Sequence, residues 1–410
     1  MTNEVLQKIA SDEQNISSSN GLEPSLRFTG FYENWHEKYI KDVADVIGGG
    51  TPDTTKLEYW NGNIQWFTPT EIGHNKYVNK SKRTITEKGL KNSSAKLLPP
   101  KTILLTSRAT IGECSIIEKE CATNQGFQSL VPNSLINNEF CYYLINTKKK
   151  ELLRKASGST FLEISNSEIK QIKCKFPSLL EQQKIADFLF LVDRRIEKQR
   201  QLVESLKKYK RGLFLKLYND SEKKGYKICD LGKYCATGAL SKDDIDASGK
   251  YPCILYGELF TKYGEVIKQV ASRTNIIPTY LSGTNEILFP SSTTADAQSL
   301  IFPSSLKIKN IFLGGDLFTI KLKNEFDSDF ISYLVNFKYK NTLARYAQGI
   351  TIIHLHYTDI KEQVIDIPNV NTQFNISSVM RKIETIIEMN SNELNSLLLM
   401  KKGFLQKMFI

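Results

Sequence analysis

Residues 178–218 read SLLEQQKIADFLFLVDRRIEKQRQLVESLKKYKRGLFLKLY, and this stretch decides the fold. Its apolar positions alternate at intervals of four and three residues, which is the spacing of a coiled-coil seam. The same pattern recurs 191 residues later in the chain. A helix over 178–218 would be about 60 Å long at 1.5 Å per residue. The spacing therefore predicts two long helices that pack on each other.

Each predicted seam contains two polar positions, and these coincide between the copies: Gln199 matches Asn390, and Lys210 matches Lys401. Polar residues inside a seam often set the register of a coiled coil. Alternatively, the helices expose these positions at their ends or to a partner. The predicted seam consists of Ile185, Leu189, Val192, Ile196, Gln199, Val203, Leu206 and Lys210 in the first helix, and of Ile376, Met380, Ile383, Ile387, Asn390, Leu394, Leu397 and Lys401 in the second.

The helices belong to a longer internal repeat. Residues 156–218 align with 347–409 without a gap, and Tyr143-Leu144 matches Tyr333-Leu334 at an offset of 190. Further upstream the match fades. The period is far too long for a solenoid, so the chain is two copies of one unit with a variable front and a similar back.

The fronts of both copies have the pattern of mixed α/β domains. Thr102–Leu105, Cys114–Ile117 and Leu317–Leu322 are short β-rich runs between turn residues. Phe140–Ala156 and Phe330–Ala347 are predicted to be helical, and residues 219–226 are predicted to be a polar linker. The predicted organisation is an N-terminal extension (1–26), a first α/β domain (27–177), a first long helix (178–218), a second α/β domain (219–368) and a second long helix (369–410).

Composition narrows the class of protein. Apolar residues make up 40% and charged residues 24%, which is typical of soluble globular proteins. No segment approaches the ~20 apolar residues that span a bilayer. Seven cysteines without a CxxC pair indicate reduced, buried thiols, so we expect a cytoplasmic protein without membrane contact. The net charge of +11 favours a polyanionic partner.

The chemistry-bearing motifs of common enzymes are missing from the sequence. It has no GxxxxGK[ST] loop, no GxGxxG and no Gly-x-Ser-x-Gly elbow, and its carboxylates are scattered. His354 and His356 would share one face of a strand, but no further ligand cluster supports a metal there. We therefore predict no catalytic residues and no metal in this chain, and favour binding and scaffolding.

Several segments resemble the specificity (S) subunits of type I restriction-modification systems. The segments that carry the resemblance are Pro24–Phe31 with Trp35, Leu104–Gly112, Asn124–Phe127, Glu181–Ala186 and Lys401–Phe409. Their order and the duplication extend the resemblance over nearly the whole chain. In the second copy the pattern departs, because Pro290–Thr294 reads PSSTT where the first copy has TSRAT, and Thr372–Asn375 reads TQFN instead of EQQK.

The resemblance implies an α/β fold with two pseudo-repeated target recognition domains and two spacer helices packed as an antiparallel coiled coil. It implies a non-catalytic subunit that binds a bipartite, asymmetric duplex DNA target and assembles with two methyltransferase subunits and with restriction-translocase subunits. The assembled complex would be an adenine-N6 DNA methyltransferase and an ATP-dependent endonuclease. S-adenosylmethionine, ATP and Mg²⁺ are accordingly expected in the partner subunits, and no cofactor is expected in this chain.

Side chains with directional donors and acceptors are the candidates for base readout. In the first domain they are Thr106, Ser107, Arg108 and Thr110, with Lys76, Lys82 and Arg83 as base or phosphate contacts. In the second domain they are Ser291, Ser292, Thr293 and Thr294, with Lys262 and Arg273. The alternative for Thr106–Thr110 is a structural turn whose hydroxyls cap nearby backbone groups.

Two other functions compete with DNA recognition. One is a protein-assembly scaffold without direct base readout, and the other is a single-chain DNA enzyme with a diverged active site. The distribution of charge bears on the choice, because the first long helix carries +5 and residues 219–368 carry none of the net charge. The second domain must therefore concentrate its positive charge locally or rely on neighbouring subunits for phosphate contacts.

Overall fold

The chain divides into two compact units, each built from one α/β domain and one part of each long helix. The computed structural model describes residues 23–158 and 162–410, so residues 1–22 of the predicted N-terminal extension lie outside the described part. The first unit comprises residues up to Lys198 together with Glu393–Ile410, and the second comprises Gln199–Asn392. Each unit is described separately below.

The first unit contains the first α/β domain. Its strands are β1 His36–Tyr39, β2 Ala44–Gly48, β3 Trp60–Phe67, β4 Tyr77–Val78, β5 Arg83–Ile85, β6 Ile103–Leu105, β7 Cys114–Ile117, β8 Cys121–Thr123, β9 Gln128–Pro132 and β10 Lys173–Phe176. Its helices are α1 Ile40–Val43, α2 Glu87–Lys91, α3 Asn138–Thr147, α4 Lys149–Lys155, α5 Asn166–Lys170 and the first long helix, α6 Leu179–Asn219, which the second unit shares. Single 3₁₀ turns cover Leu57–Tyr59 and Pro69–Glu71.

The second unit contains the second α/β domain. Its strands are β11 Lys224–Lys227, β12 Gly232–Ala236, β13 Tyr251–Leu255, β14 Val266–Ile267, β15 Ser272–Thr274, β16 Glu286–Pro290, β17 Ser292–Thr293, β18 Ser304–Leu306, β19 Phe312–Gly314, β20 Leu317–Leu322, β21 Ile353–His354 and β22 Val364–Ile367. Its helices are α7 Tyr256–Thr261, α8 Ala297–Leu300, α9 Ser328–Leu334, α10 Lys340–Ala344, α11 Tyr357–Ile360 and the second long helix, α12 Val370–Met408, which the first unit shares. A π-helical segment, Val335–Tyr339, joins α9 to α10, and 3₁₀ turns cover Ile228–Asp230 and Lys242–Asp244.

The two domains have the same sheet topology. The five-stranded sheets have the orders β2-β9-β6-β7-β4 and β12-β20-β16-β18-β14, and in each the last pair is parallel while the others are antiparallel. The three-stranded sheets β5-β3-β8 and β15-β13-β19 correspond, as do the pairs β1-β10 and β11-β22. The structural repeat therefore extends into the fronts, where the sequence match fades.

The start of each long helix is buried against its own α/β domain. Ile185 and Leu189 of α6 join Phe140 and Leu144 in one hydrophobic core. In the second unit, Ile376 and Met380 of α12 join an equivalent core that includes Phe330 and Leu334. These predicted seam positions thus pack mainly on the domain core, because each helix buries a face wider than a two-helix seam requires.

In the first unit the two long helices pack antiparallel. The ring of Phe188 lies edge-on to Phe404 with centroids 4.9 Å apart, while Val192 and Ile196 cluster with Leu397. Lys401 Nζ lies 2.6 Å from Asp193 Oδ1. Residues further along α6 contact residues that come earlier in α12, so the two helices run in opposite directions, as expected for the fold class.

In the second unit the helices are joined through polar seam positions. Gln199 Nε2 donates to the carbonyl and to the side-chain oxygen of Asn390, both at 3.0 Å. Lys210 Nζ lies 3.1 Å from Glu384 Oε1 and 2.9 Å from Glu265 Oε2. Burial lowers the pKa of Lys210, but the two carboxylates outweigh this effect and hold its pKa above the ordinary value.

The seam residues differ in exposure. Past Lys210, the most buried side chains of α6 are Phe214 and Tyr218, although the four-three spacing continues to Leu213 and Leu217. The buried seam residues are Ile185, Leu189, Val192, Ile196, Val203, Lys210, Ile376, Met380, Ile383 and Leu397. The half-buried ones are Gln199, Leu206, Ile387, Asn390, Leu394 and Lys401.

Other local predictions agree with the structure in part. Strands occupy Cys114–Ile117 and Leu317–Leu322, as predicted. The predicted linker 219–226 is wrong in its second half, because Lys224–Lys227 pairs with Val364–Ile367 as β11. The sequence of this strand is polar because one face stays exposed. Within the described part of the chain, no helix is long and apolar enough to cross a membrane.

Candidate nucleic-acid interface

The loop after β6 in the first domain mixes buried framework residues with exposed ones. Thr106 and Ser107 are fully buried. Thr106 Oγ1 accepts from the Glu113 N–H at 3.1 Å and donates to the Thr110 carbonyl. The Ser107 backbone donates to the Gly126 carbonyl at 2.8 Å. The prediction that these two side chains contact DNA disagrees with their burial: the Thr106 hydroxyl closes the turn, and Ser107 Oγ lies in the interior without a hydrogen-bond partner among the described residues.

Arg108 and Thr110 remain on the surface of the same loop. Ala109 between them has φ 58°, in the left-handed region, which turns the backbone sharply. Arg108 Nε lies 2.8 Å from Glu163 Oε2, outside hydrogen-bond geometry, so the contact is an ion pair without a directed hydrogen bond. Both side chains are partly exposed. Arg108 is thus held near the surface by a partner that it can exchange for another acceptor.

The three other basic candidates of the first domain differ in environment. Arg83 is exposed, and its guanidinium lies 3.5 Å from the centre of the Trp60 ring. Lys82 is exposed next to it. Lys76 instead pairs with Glu139 and lies 2.8 Å from Tyr143 Oη, and burial lowers its pKa. Lys76 is therefore removed from the candidate surface, because its ammonium group is used inside the unit.

The corresponding loop of the second domain forms β17. Ser292 is buried, and its hydroxyl donates to Asp316 Oδ2 at 2.9 Å, so its predicted DNA contact is corrected in the same way. Ser291 and Thr293 are half-buried, and Thr294 is exposed. Thr293 Oγ1 accepts from the Ala295 N–H at 3.1 Å. Thr294, at the end of this loop, therefore presents its hydroxyl to the surface.

Lys262 and Arg273 are exposed but bound within the second domain. Lys262 Nζ contacts Glu258 Oε1 at 2.6 Å and Ser272 Oγ at 3.0 Å. Arg273 donates from Nε to the Gly249 carbonyl at 2.6 Å and from a terminal nitrogen to the Lys250 carbonyl at 2.8 Å. A DNA contact from either side chain would have to compete with these bonds.

In each domain a second segment, which we call the return segment, lies beside the loop. It comprises residues 162–165 in the first domain and 353–356 in the second. The Ile164 N–H donates to the Ser107 carbonyl at 3.1 Å, and the Leu355 N–H donates to the Ser291 carbonyl at 2.9 Å. The backbones of Arg108 and Glu163 form an isolated antiparallel β-bridge, and Ser292 of β17 pairs with His354 of β21. Position 163 in one domain is therefore structurally equivalent to position 354 in the other.

Sequence reasoning did not nominate the return segments. Glu163 and His354 occupy the matching position of the repeat. A difference between the copies at a position close to the loop is the sequence signal that could have indicated these segments. The His354–His356 pair was considered only as a weak metal candidate. Among the described residues, no group of three or more His, Cys, Asp or Glu side chains is arranged to hold a metal ion.

Comparison with known proteins identifies the family. The sequence profile described as "Type I restriction modification DNA specificity domain" matches residues 32–208 and again residues 220–399. The chain belongs to this specificity-domain family. Each matched region of the family contains one α/β domain and most of the long helix that follows it.

Two curated specificity subunits match part of the chain. The Methanocaldococcus jannaschii type I restriction enzyme MjaIX specificity subunit is 41% identical over 194 residues, which is 46% of this chain and 45% of that subunit. The Escherichia coli EcoR124I/EcoR124II specificity subunit is 30% identical over 159 residues, 37% of this chain and 39% of that subunit. The chain thus matches less than half the length of each of these two relatives.

Two solved structures share the specificity-subunit fold. The S subunit from M. genitalium has a TM-score of 0.57 at 17% identity and covers 95% of this chain and 99% of its own. A chain from a structure described as the basis of complex assembly and conformational transition of the type I R-M system has a TM-score of 0.59 at 12% identity, covering 93% and 98%. At these identities the likeness shows the fold alone.

Proposed function

We propose that this chain is the DNA-reading subunit of a type I restriction-modification complex and binds a bipartite, asymmetric duplex target. One observation carries the proposal: two domains of one topology present different side chains at equivalent surface positions. At the matched position beside the loop, the first domain has Glu163, which pairs with the partly exposed Arg108, and the second domain has the exposed His354. A conserved scaffold with altered contact residues is what two different half-sites require.

The exposed chemistry of the first domain suits base readout. Arg108, Thr110 and the Arg83 guanidinium on Trp60 are exposed or partly exposed near the surface loops. Arginine donates in pairs to the O6 and N7 atoms of guanine, which is the commonest specific contact in the major groove. Exposed lysines such as Lys82 are suited to phosphate contacts, which position the domain without reading sequence.

The long helices would scaffold the methyltransferase subunits. In the first unit, α12 exposes Leu398, Leu399 and Met400, and Leu399 is 70% exposed. In the second unit, the same helix exposes Ile386 and Met389, and Met389 is 66% exposed. Exposed apolar side chains that recur along a helix indicate a protein contact surface. We propose two methyltransferase subunits and the restriction-translocase subunits as partners.

The chemistry of modification and cleavage is proposed for the partners and not for this chain. The sequence has no phosphate-binding glycine loop, and the described residues contain no metal-ligating cluster. S-adenosylmethionine, ATP and Mg²⁺ would be bound by the methyltransferase and restriction subunits. This chain would determine the DNA sequence at which they act.

Methylation-site mapping of the co-expressed complex tests the proposal. The full chain is produced with its methyltransferase subunit in a methylation-free host, and methylated adenines are mapped across the host genome. We expect one asymmetric motif with two specified parts and an unspecified gap. The methyltransferase subunit expressed alone is the control and should leave no such motif.

A salt titration separates DNA binding from the scaffold alternative. Affinity of the complex for a duplex carrying the mapped motif should fall by about 0.9 log units per neutralised phosphate for each log unit of salt. Absence of any mapped motif, together with a salt-independent affinity for a duplex of arbitrary sequence, would favour a protein scaffold without base readout.

A further inference from the structure

We infer that the second domain reads base edges through its return segment, with His354 and His356 as specificity-determining side chains. The inference rests on the proposed function, because it assigns the contacts of the same DNA-reading surface. It differs from the sequence prediction, which placed second-domain readout on Ser291–Thr294.

An open cleft of about 630 Å³ lies at the junction of the loop and the return segment. Ser291, Asp316, His354 and His356 all line it. Its aromatic wall includes Tyr234 and Tyr357, whose rings stack with centroids 4.6 Å apart. The cleft therefore combines hydrogen-bonding groups with flat apolar surface, as an edge-reading site needs.

The two histidines are presented by a backbone that is itself well fixed. The His354 N–H donates to the Gln348 carbonyl at 2.7 Å, and the His356 N–H donates to Asp359 Oδ2 at 2.9 Å. Leu355 between them is fully buried. His354 ends strand β21 and His356 is also extended, with φ −106° and ψ 152°, so both imidazoles lie on the same side of the segment, where their rings are parallel within 5° and their centroids are 6.1 Å apart.

The imidazoles are available to an external partner. Both residues are exposed, and the His356 side chain makes no capping hydrogen bond to α11. Asp316 beside them is also exposed and uses one oxygen to accept from Ser292. The surrounding structure thus leaves donor and acceptor capacity unused on three neighbouring side chains.

This set of groups fits the edge of a base pair better than a phosphate. A neutral imidazole carries one donor and one acceptor, and a carboxylate accepts from the exocyclic amine of cytosine or adenine. A phosphate at the same place would be repelled by Asp316. Lys361, which also lines the cleft and matches Lys170 in the repeat, is suited to the backbone contact that both domains share.

The repeat itself supports a role in specificity. His354 and His356 match Glu163 and Ser165, so the fold places different side chains at equivalent points beside the two loops. Residues that hold the scaffold, such as Gln182 and Gln373, are the same in both copies. Side chains that read different half-sites must instead differ between the copies.

The test compares methylation motifs of the full chain co-expressed with its methyltransferase subunit. The variants are His354→Ala, His356→Ala and the conservative His356→Asn. His36→Ala, an exposed histidine on strand β1 of the other domain, is the matched control. Gel filtration of each complex reports assembly, and gel shifts use a duplex carrying the motif mapped for the unaltered chain.

We expect His354→Ala or His356→Ala to relax at least one position of one half-site, with the other half-site unchanged and affinity reduced about 5- to 150-fold. His356→Asn should retain more discrimination than His356→Ala. The intact half-site shows that each variant still folds and assembles.

Three results would overturn the inference. They are an unchanged motif with unchanged affinity, an equal loss of affinity for all sequences, and a loss of methyltransferase binding in gel filtration with unchanged affinity for the duplex. If the unaltered complex itself produces no bipartite motif, the proposed function fails first and this inference fails with it.

Discussion

Gln182 and Gln373 make the same three hydrogen bonds in their respective units. Gln182 accepts from the Asn137 N–H at 2.9 Å and donates to the carbonyls of Leu135 and Pro177 at 3.3 and 3.0 Å. Gln373 accepts from the Asp327 N–H at 2.8 Å and donates to the carbonyls of Glu325 and Pro368. A glutamine amide satisfies one buried donor and two buried acceptors at once, which explains why the residue recurs in both copies.

Gln182→Ala should destabilise the first unit by about 2–4 kcal/mol, because it leaves buried backbone groups without partners. The measurement is the free energy of unfolding in urea, followed by circular dichroism. Gln183→Ala, at the next and exposed position of α6, is the matched control and should change stability by less than about 0.5 kcal/mol. Equal effects at the two positions would contradict the structural role.

Arg108→Ala tests the exposed arginine of the first domain. A base contact should cost about 1–3 kcal/mol of binding and relax one position of one half-site. The measurement combines gel shift with methylation-site mapping of the complex. Arg154→Ala, at an exposed arginine on α4, is the control and should leave the motif unchanged. Unchanged affinity and motif in Arg108→Ala would remove this residue from the interface.

Part of the candidate site could be predicted at the residue scale and part could not. The loop Thr106–Thr110 was correctly located at the end of a strand, and its Arg108 and Thr110 are on the surface. Composition alone does not distinguish the buried hydroxyls of Thr106 and Ser107 from the exposed one of Thr110. The difference arises because the turn closes on Glu113 and Gly126. These residues come later in the chain, and no sequence pattern links them to the start of the turn.

At the scale of elements, Lys210 shows how a polar seam position is accommodated. Its ammonium group lies between Glu265 of the α/β domain and Glu384 of α12, and its side chain is 8% exposed. An ion pair this buried adds little net stability relative to apolar packing, but breaking it leaves a carboxylate without compensation. The pair therefore favours one alignment of the two helices in this unit over its neighbours.

Lys210→Ala should cost about 3–5 kcal/mol of stability, because Glu384 then stays buried without its cation. Lys208→Ala, an exposed lysine on the same helix, should cost less than about 0.5 kcal/mol. The triple variant Lys210→Met, Glu265→Gln, Glu384→Gln removes all three charges and should recover most of the loss. Urea unfolding of the full chain provides the comparison, and a Lys210→Ala protein as stable as Lys208→Ala would refute the role.

The long helices were predictable as elements because their seam spacing persists over about eleven turns of α6. The bounds of shorter elements were harder to predict from the sequence. Phe140–Ala156 was expected to be one helix and is two, α3 and α4, which meet at Lys148. The π-helical segment Val335–Tyr339 inside 330–347 was likewise not predicted, since nothing in its sequence marks it.

At the scale of the whole molecule, the chain carries two copies of one unit, each with a long helix. We propose that the paired helices set the gap between two half-sites, which lie about one helical turn, roughly 34 Å, apart on B-DNA. A heptad is two turns of helix and preserves the seam, so its insertion lengthens the pair without disturbing packing.

Inserting one heptad into each long helix, at the facing positions Gln199 and Asn390, should change the unspecified gap of the target and leave both specified parts intact. Methylation-site mapping of the co-expressed complex measures this. Insertion into α6 alone is the control and should abolish site-specific methylation, because the seam then loses its register. An unchanged gap after the double insertion would show that the helices do not set the spacing.

The sequence by itself determined the duplication, the two long helices and the mixed α/β class, because these depend on periodicity and on matched residues along the chain. Only the tertiary structure decided which polar side chains face outward and which segments lie side by side. Glu163 beside Arg108 and His354 beside Ser292 are each more than fifty residues apart in sequence. Such contacts depend on strand pairing and burial, which are properties of the assembled sheets and leave no periodic signal in the chain.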